Sequence, residues 1–347
     1  MSDETAEGGV GIRSLGTYVP STFMTSLELS KATGIPEDVI ATKFGVHRKP
    51  VPGPGDTPSA MGVRAARAAL ADAGVEADSI DLLIFNGGQH KDYPCWLAGL
   101  KIAHELGAVN AWSFDMEAMC GSMMAGLAVA KSMMLTDRRL KRVLLVSGYR
   151  NGDLIDLAVP ETRFMLDIGA GAAAVLLERG YHRNLVLSSA FRGDGSFSEQ
   201  CVVPVMGAAK WPPSPQDPAD MHFIVSDEQE FKTKLGERTM PNFYAVIRES
   251  LSESGLSQKD IDYLAILHFK RSAHEAVLAE LGLTEANTTY LNEYGHLGQN
   301  DQVLSIQLGL REGKIRDGST IVMVGAGLGF VWASTVVAWG GAPPGRA

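Results

Sequence analysis

Three side chains in this sequence are suited to covalent chemistry: Cys120, His268 and His296. Cys120 lies in Phe114-Asp115-Met116-Glu117-Ala118-Met119-Cys120-Gly121-Ser122. There a strand-like run ends, and small residues and methionines continue at helical spacing to about Met134. A cysteine at a strand-to-helix junction faces unpaired backbone N–H groups and the positive end of the helix dipole, both of which favour the thiolate. Such a thiolate is a nucleophile; a free cysteine buried as a small hydrophobe is the other reading of the same residues. His268 closes the apolar run Tyr263-Leu264-Ala265-Ile266-Leu267, at the carboxyl end of a strand, where α/β folds place working groups. His296 sits in the glycine-flanked turn Tyr294-Gly295-His296-Leu297-Gly298, ahead of a helix over residues 302–310. Taken singly, each histidine also fits a hydrogen-bonded structural role. The run Gly325-Ala326-Gly327-Leu328-Gly329 is either a tight turn or a loop whose backbone N–H groups face a developing oxyanion.

The elements that must position these groups alternate between strand and helix. Residues 11–19 read as a first strand, and Pro36-Glu37-Asp38 opens a short helix with acids in its first turn. An alanine-rich helix over 60–73 is stopped by Gly74, and Ile80-Asp81-Leu82-Leu83-Ile84-Phe85 reads as a buried strand. A helix over 96–106 leads to the strand before Cys120, and 143–147 and 170–177 are further apolar strands.

The alternation repeats. The helix stop, spacer and strand entry of Leu70-Ala71-Asp72-Ala73-Gly74 to Ile80-Asp81 recur in Leu251-Ser252-Glu253-Ser254-Gly255 to Ile261-Asp262. Leu144-Leu145-Val146-Ser147-Gly148 matches Ile321-Val322-Met323-Val324-Gly325 at nearly the same offset, which predicts a duplicated α/β unit. By that offset Cys120 falls on Leu297, the neighbour of His296. Between the halves the alternation breaks from Arg192 to Arg238. Trp211, Phe223 and Phe231 give this long stretch something to bury as a substrate-covering loop. The expected organisation is therefore a nucleophile-bearing half over 1–180, an irregular lid over 181–240, and a half carrying both histidines over 241–347.

Composition narrows the function classes. The chain of 347 residues is 45% apolar and 20% charged, with a net charge of −9 that disfavours nucleic acid as a partner. No apolar run approaches the roughly 20 residues that span a bilayer, and the acidic start Met1-Ser2-Asp3-Glu4 lacks an apolar signal core. Cys95, Cys120 and Cys201 have no metal-ligand spacing, so neither a metal nor a cofactor is expected, and a reduced cytoplasm fits best.

In these features the sequence resembles the ketoacyl synthase III branch of the thiolase superfamily. The resemblance is carried by Ala118-Met119-Cys120 to Gly126, His268, Tyr294-Gly295-His296 and Glu312-Gly313-Lys314-Ile315-Arg316-Asp317-Gly318. The glycine loop running into Phe330-Val331-Trp332-Ala333 and the strand Asp167-Ile168-Gly169-Ala170-Gly171-Ala172 extend it, so that it spans about Gly11 to Trp339. It implies a thiolase-like α/β fold, two duplicated halves layered α-β-α-β-α. It also implies a catalytic set of Cys120, His268 and His296, an oxyanion hole from the backbone of Cys120, Gly327 and Leu328, and a homodimer taking acyl-coenzyme A or an acylated acyl carrier protein as substrate. The implied reaction is formation of an acyl-Cys120 thioester followed by Claisen-type condensation with a malonyl-type thioester. Acyl transfer to a hydroxyl or amine of a small natural product, or service as a subunit of a heteromeric ketosynthase, are the alternatives.

The departures from the family pattern fall at the chemistry. Phe269-Lys270-Arg271 stands where Gln-Ala-Asn is usual, and His296 replaces an asparagine, as in the Cys-His-His elongating synthases and thiolases. Val39 replaces the family's adenine-stacking tryptophan while Lys43 keeps the nearby positive charge. Tyr93 occupies the place of a pocket-floor residue given by the dimer partner. Lys43, Tyr93 and Trp211 are accordingly the expected substrate contacts. Glu117 is expected in a strand-face salt bridge, and the methionines near Cys120 in the core, with one or two lining an acyl channel.

Overall fold

The apolar runs that end in the candidate catalytic residues become the central strands of a single mixed sheet. A computed structural model describes residues 9–205, 207–212 and 221–341, so Pro213, Ser214, Pro215, Asp217 and Pro218 of the expected lid lie outside the described residues. The strands are β1 (Val10–Tyr18), β2 (Thr22–Thr25), β3 (Arg48–Val51), β4 (Leu82–Phe85), β5 (Trp112–Asp115), β6 (Arg142–Tyr149), β7 (Gly171–Arg179), β8 (Arg183–Gly193), β9 (Cys201–Val202), β10 (Ile224–Val225), β11 (Tyr263–Ile266), β12 (Thr320–Gly327) and β13 (Val331–Gly341). The main helices are α1 (Ser26–Thr33), α2 (Pro58–Ala73), α3 (Ala98–Leu106), α4 (Ser122–Thr136), α5 (Glu228–Glu253), α6 (Arg271–Leu281) and α7 (Asp301–Arg311).

The large sheet has nine strands in the order β11-β12-β13-β8-β1-β7-β6-β4-β5. Its two ends are built alike. In the first half β4 lies parallel to β6, followed by antiparallel β7 and β1. In the second, β11 lies parallel to β12, followed by antiparallel β13 and β8. The halves meet where β1 and β8 share the single registered pair Gly11 and Leu185. The repeat read in the sequence is this pseudo-symmetry: Leu82 pairs with Val143 as Tyr263 pairs with Ile321.

Helices α4 and α7 form the middle layer, where Met123, Met124, Leu127, Val303 and Ile306 pack against inward residues of both sheet halves. Helices α2 and α3 cover the outside of the first half and α5 and α6 the outside of the second, which completes the α-β-α-β-α order. Local chemistry sets the ends. Thr57 caps α2 by accepting from the Ala60 N–H, and Gly74 closes it in the left-handed region.

Two expectations change here. The region 181–240 is not irregular at its ends, because β8 is a central strand and α5 begins at Glu228. The polar residues of β8 hid this, since half of that strand faces a partly wetted side. Residues Met119–Thr136 form an apolar helical stretch long enough to cross a membrane, contrary to the sequence reading, but its apolar side chains make the middle layer of the core. Met123, Met124 and Met134 are indeed core, while Met119 reaches a cavity.

Candidate active site

The site grows from two helix starts facing each other across the middle layer. On one side β5 ends and a tight turn carries Ala118, Met119 (φ 49°) and Cys120 into α4. The Ser122 hydroxyl pins this turn, accepting from the Ala118 N–H at 2.7 Å and donating to the Met119 carbonyl at 2.6 Å. On the other side the turn bearing His296 enters α7. It is fastened to the first half of the chain by the His296 N–H to the Asp167 carbonyl and the Gly169 N–H to the His296 carbonyl, both 2.9 Å. Gln299, Asn300, Asp301 and Gln302 follow, all at most 1% exposed. The NH2 groups of Gln299, Asn300 and Gln302 donate to the Ser147 hydroxyl and the Gly171 and Val324 carbonyls, tying the two halves together at this joint.

Across this joint the Nε2 of His296 lies 3.2 Å from the Cys120 sulfur. Its Nδ1 donates to Asp301 Oδ2 at 2.6 Å. Asp301, wholly buried, also accepts the His268 N–H and the Leu297 N–H, each at 2.7 Å. Burial alone would push the His296 pKa down. The Asp301 carboxylate and the Cys120 sulfur overcome it and hold the imidazole well above its ordinary value, in the protonated form. The arrangement is a sulfur, an imidazole and an orienting carboxylate, a set suited to a cysteine nucleophile.

His268 is placed differently from the expectation. It borders the same cavity, but its Nδ1 is 2.7 Å from Asp167 Oδ2 and its Nε2 is 3.2 Å from the Gly45 carbonyl. Both ring nitrogens are thus engaged away from the sulfur. Asp167 would be raised by burial, yet its hydrogen bond to His268 leaves it below the usual carboxylate range. Burial lowers the nearby Lys49 to about 8, and its ammonium donates to the Ile168 carbonyl at 2.9 Å. Asp301, Asp167 and Tyr149 were missed by the sequence reading. The signals were present as an acid at a helix start, an acid before the glycine-alanine strand, and a tyrosine ending a strand at its carboxyl end.

The glycine loop backs directly onto the nucleophile. A Cβ on Gly327 would lie 2.4 Å from the Met119 Cβ and 2.8 Å from the Cys120 nitrogen, so only glycine lets the two backbones approach this closely. The cavity above Cys120 has a volume of about 300 Å³ and is walled by Phe44, Phe164, Phe223, Phe243, Phe269 and Phe330. Of the expected lid aromatics, Phe223 lines it, Phe231 packs in the aromatic cluster behind it, and Trp211 is 77% exposed. Lys43 and Tyr93 are also exposed, so none of the three expected substrate contacts forms the cavity wall. Among the described residues Glu117 makes no ion pair: burial raises its carboxyl, and Lys91 pairs with Asp115 at 2.9 Å instead.

A duplicated five-layer α/β fold, with a cysteine at the first half's middle helix and a histidine opposite at the second's, defines a protein of the thiolase superfamily. Residues 114–195 match the family model for 3-oxoacyl-[acyl-carrier-protein] synthase III, and residues 251–339 match the model for its C-terminal part. In these two segments, and over most of its length against curated relatives, the chain is similar to the ketoacyl-ACP synthase III acyltransferases of that superfamily. It is 28% identical over 334 residues to the β-ketoacyl-[acyl-carrier-protein] synthase III of Caldanaerobacter subterraneus, covering 95% of this chain and 97% of that one. In fold it is similar to the β-ketoacyl-[acyl-carrier-protein] synthase III of Thermus thermophilus, at a TM-score of 0.83 and 20% identity over 96% of this chain and 100% of that one. The priming β-ketosynthase of the R1128 polyketide pathway is equally similar, at a TM-score of 0.83 and 23% identity over 97% of this chain and 98% of that one.

Proposed function

We propose that the chain loads an acyl group from a thioester onto Cys120 and condenses it with a second, malonyl-type thioester. The observation that carries the reading is the Cys120 sulfur 3.2 Å from His296 Nε2 at the base of an apolar cavity. The thiolate attacks the donor carbonyl, a carbon–sulfur bond to Cys120 forms, and the departing thiol takes its proton from the His296 imidazolium. Backbone N–H groups of Cys120, Gly327 and Leu328 are placed by this reading at the developing oxyanion. In the second half, loss of carbon dioxide from the malonyl-type thioester leaves an enolate. Its carbon attacks the acyl carbonyl, a carbon–carbon bond forms, and Cys120 leaves as thiolate. His268 Nε2–H is the donor to the enolate oxygen, joined by His296 Nε2–H after that nitrogen has taken up a proton from solvent to replace the one given to the departing thiol, and His268 must release the Gly45 carbonyl to serve.

That last requirement favours a second reading. With His268 held by Asp167 and Gly45, the remaining Cys120–His296–Asp301 set suits acyl transfer to a hydroxyl or amine, with His296 removing the acceptor's proton. Intact-mass measurement with acyl-coenzyme A and acyl carrier protein donors tests the shared first half. The wild type gains one acyl mass and Cys120→Ala none. Carbon dioxide released with a malonyl donor supports condensation, whereas its absence alongside acyl loss to alcohols or amines supports the second reading.

The donor's phosphates are expected at Lys270, which borders the cavity with its ammonium 5.2 Å from the centre of the Phe44 ring, and at Lys43 beside it. A homodimer fits the free edge of β5, where Trp112 is 51% exposed near exposed Leu97 and Leu100. Sedimentation of Trp112→Asp checks it, with a shift to monomer expected.

A further inference from the structure

A groove of about 520 Å³ opens on the seam between the two halves and shares no lining residue with the cavity above Cys120. It exists because β1 and β8 pair only at Gly11 and Leu185 and then separate. Side-chain amides take over from the ladder beyond that point. Asn184 Nδ2 donates to the Ile12 carbonyl at 2.9 Å, and Gln307 Nε2 donates to the Leu15 carbonyl at 3.0 Å. Between those two carbonyls β1 carries a bulge: Ile12 pairs with Leu177 and Ser14 with Leu176, so Arg13 is the extra residue. A bulge re-aims the side chain where it breaks the ladder, and Arg13 borders the groove.

Arg311, the last residue of α7, borders it too, and neither arginine forms an ion pair among the described residues. The Arg13 guanidinium carbon stands 4.9 Å from the centre of the Tyr181 ring, and its Nε is buried with no hydrogen-bond partner among the described residues. Such burial costs free energy that a bound anion offsets. The acid bordering the groove, Asp72, pairs with neither arginine, so the groove holds an excess of positive charge on a chain of net charge −9. Half-buried Trp339, with Leu15 and Leu310, supplies a flat apolar surface beside the two cations. A planar guanidinium fork matches phosphate and carboxylate, and an indole face matches a flat ring. The volume lies in the range of small-molecule pockets, well above the roughly 150 Å³ that takes up benzene.

We propose that this groove binds a small aromatic anion, its ring against Trp339 and its phosphate or carboxylate on Arg13 and Arg311. No thioester takes part, so the site stands or falls independently of the acyl-Cys120 reading.

Isothermal titration of the full chain with adenosine 5′-monophosphate, benzoate, adenosine and inorganic phosphate tests it. One-to-one binding of the monophosphate or of benzoate is expected, and whichever binds more tightly names the source of the anion. Arg13→Gln and Arg311→Gln should each weaken that binding about tenfold or more, as for loss of one hydrogen bond to a charged group. Arg311 is exposed, so its substitution leaves the core untouched even if the Arg13 variant folds poorly. Lys270→Gln, at the catalytic cavity, should leave the affinity within about twofold. Failure of both anions to saturate the protein below about 1 mM overturns the proposal. So does binding that Lys270→Gln abolishes while both arginine variants keep it, which assigns the ligand to the catalytic cavity. Adenosine or inorganic phosphate binding as tightly as the better anion overturns it as well, since ring or charge alone then accounts for the affinity.

Discussion

Replacing Asp301 by asparagine tests how the site makes its nucleophile. Asp301 Oδ2 accepts from two donors, His296 Nδ1–H at 2.6 Å and the His268 N–H at 2.7 Å, while Oδ1 accepts the Leu297 N–H at 2.7 Å. An asparagine oxygen can keep only one side of this pattern. With the oxygen toward Leu297, an NH2 group confronts both the imidazole and the His268 N–H. Facing a donor, Nδ1 must become an acceptor, and the ring's proton moves to Nε2, the nitrogen that should receive the one from Cys120. The loss is at least one charge-assisted hydrogen bond, roughly 2–3 kcal/mol. At about 1.4 kcal/mol per tenfold, that corresponds to acylation on the order of 100-fold slower. The direction with pH also follows. Without the carboxylate the His296 pKa falls, the thiolate–imidazolium pair weakens, and reactive sulfur appears only at higher pH. The assay is the rate of acyl-mass gain at several pH values, with iodoacetamide reactivity measured in parallel. Acylation within twofold of wild type and an unmoved alkylation profile would refute the role given to Asp301.

Three further outcomes are expected. His268→Ala leaves Asp167 buried without its partner, so the melting temperature should fall by the equivalent of about 3–5 kcal/mol; acylation of Cys120 should stay within about threefold. Carbon dioxide release should drop by more than about 100-fold if His268 serves the condensation, and an unchanged release would remove it from the mechanism. Gly327→Ala drives a methyl into Met119 and the Cys120 nitrogen and should slow acylation by at least about tenfold; unchanged kinetics would show that the loop can retreat. His274, 3% exposed, is held neutral by burial, with its pKa lowered to about 4 from 6.5. The unfolded chain takes up that proton first, so the associated stability is present above pH 6.5 and lost as pH falls towards 4, up to about 3 kcal/mol. Denaturation midpoints of His274→Phe should decline less than those of wild type between pH 7 and 4.5, and parallel declines would refute the assignment.

Much of this was legible in the residue order because apolar periodicity and helix stops are local signals. Gly74 ending α2, the buried runs of β4 and β11, and the repeat linking them follow from neighbours within a few residues, and burial then forces both halves into one architecture. The same locality marked Cys120 as a helix-start cysteine and His296 as a residue between glycines. It could not reveal β8, whose partly polar pattern becomes a central strand only when β1 and β13 close on it. Nor could it decide which histidine meets the sulfur. His268 and His296 look equivalent on paper, and partners far away in the chain separate them: Asp167 and Gly45 claim one ring, while Asp301 aims the other at Cys120. Hydrogen-bond geometry over 2.6–3.2 Å belongs to the packed joint between the halves, which leaves His296 Nε2 on the sulfur and turns both nitrogens of His268 away from it.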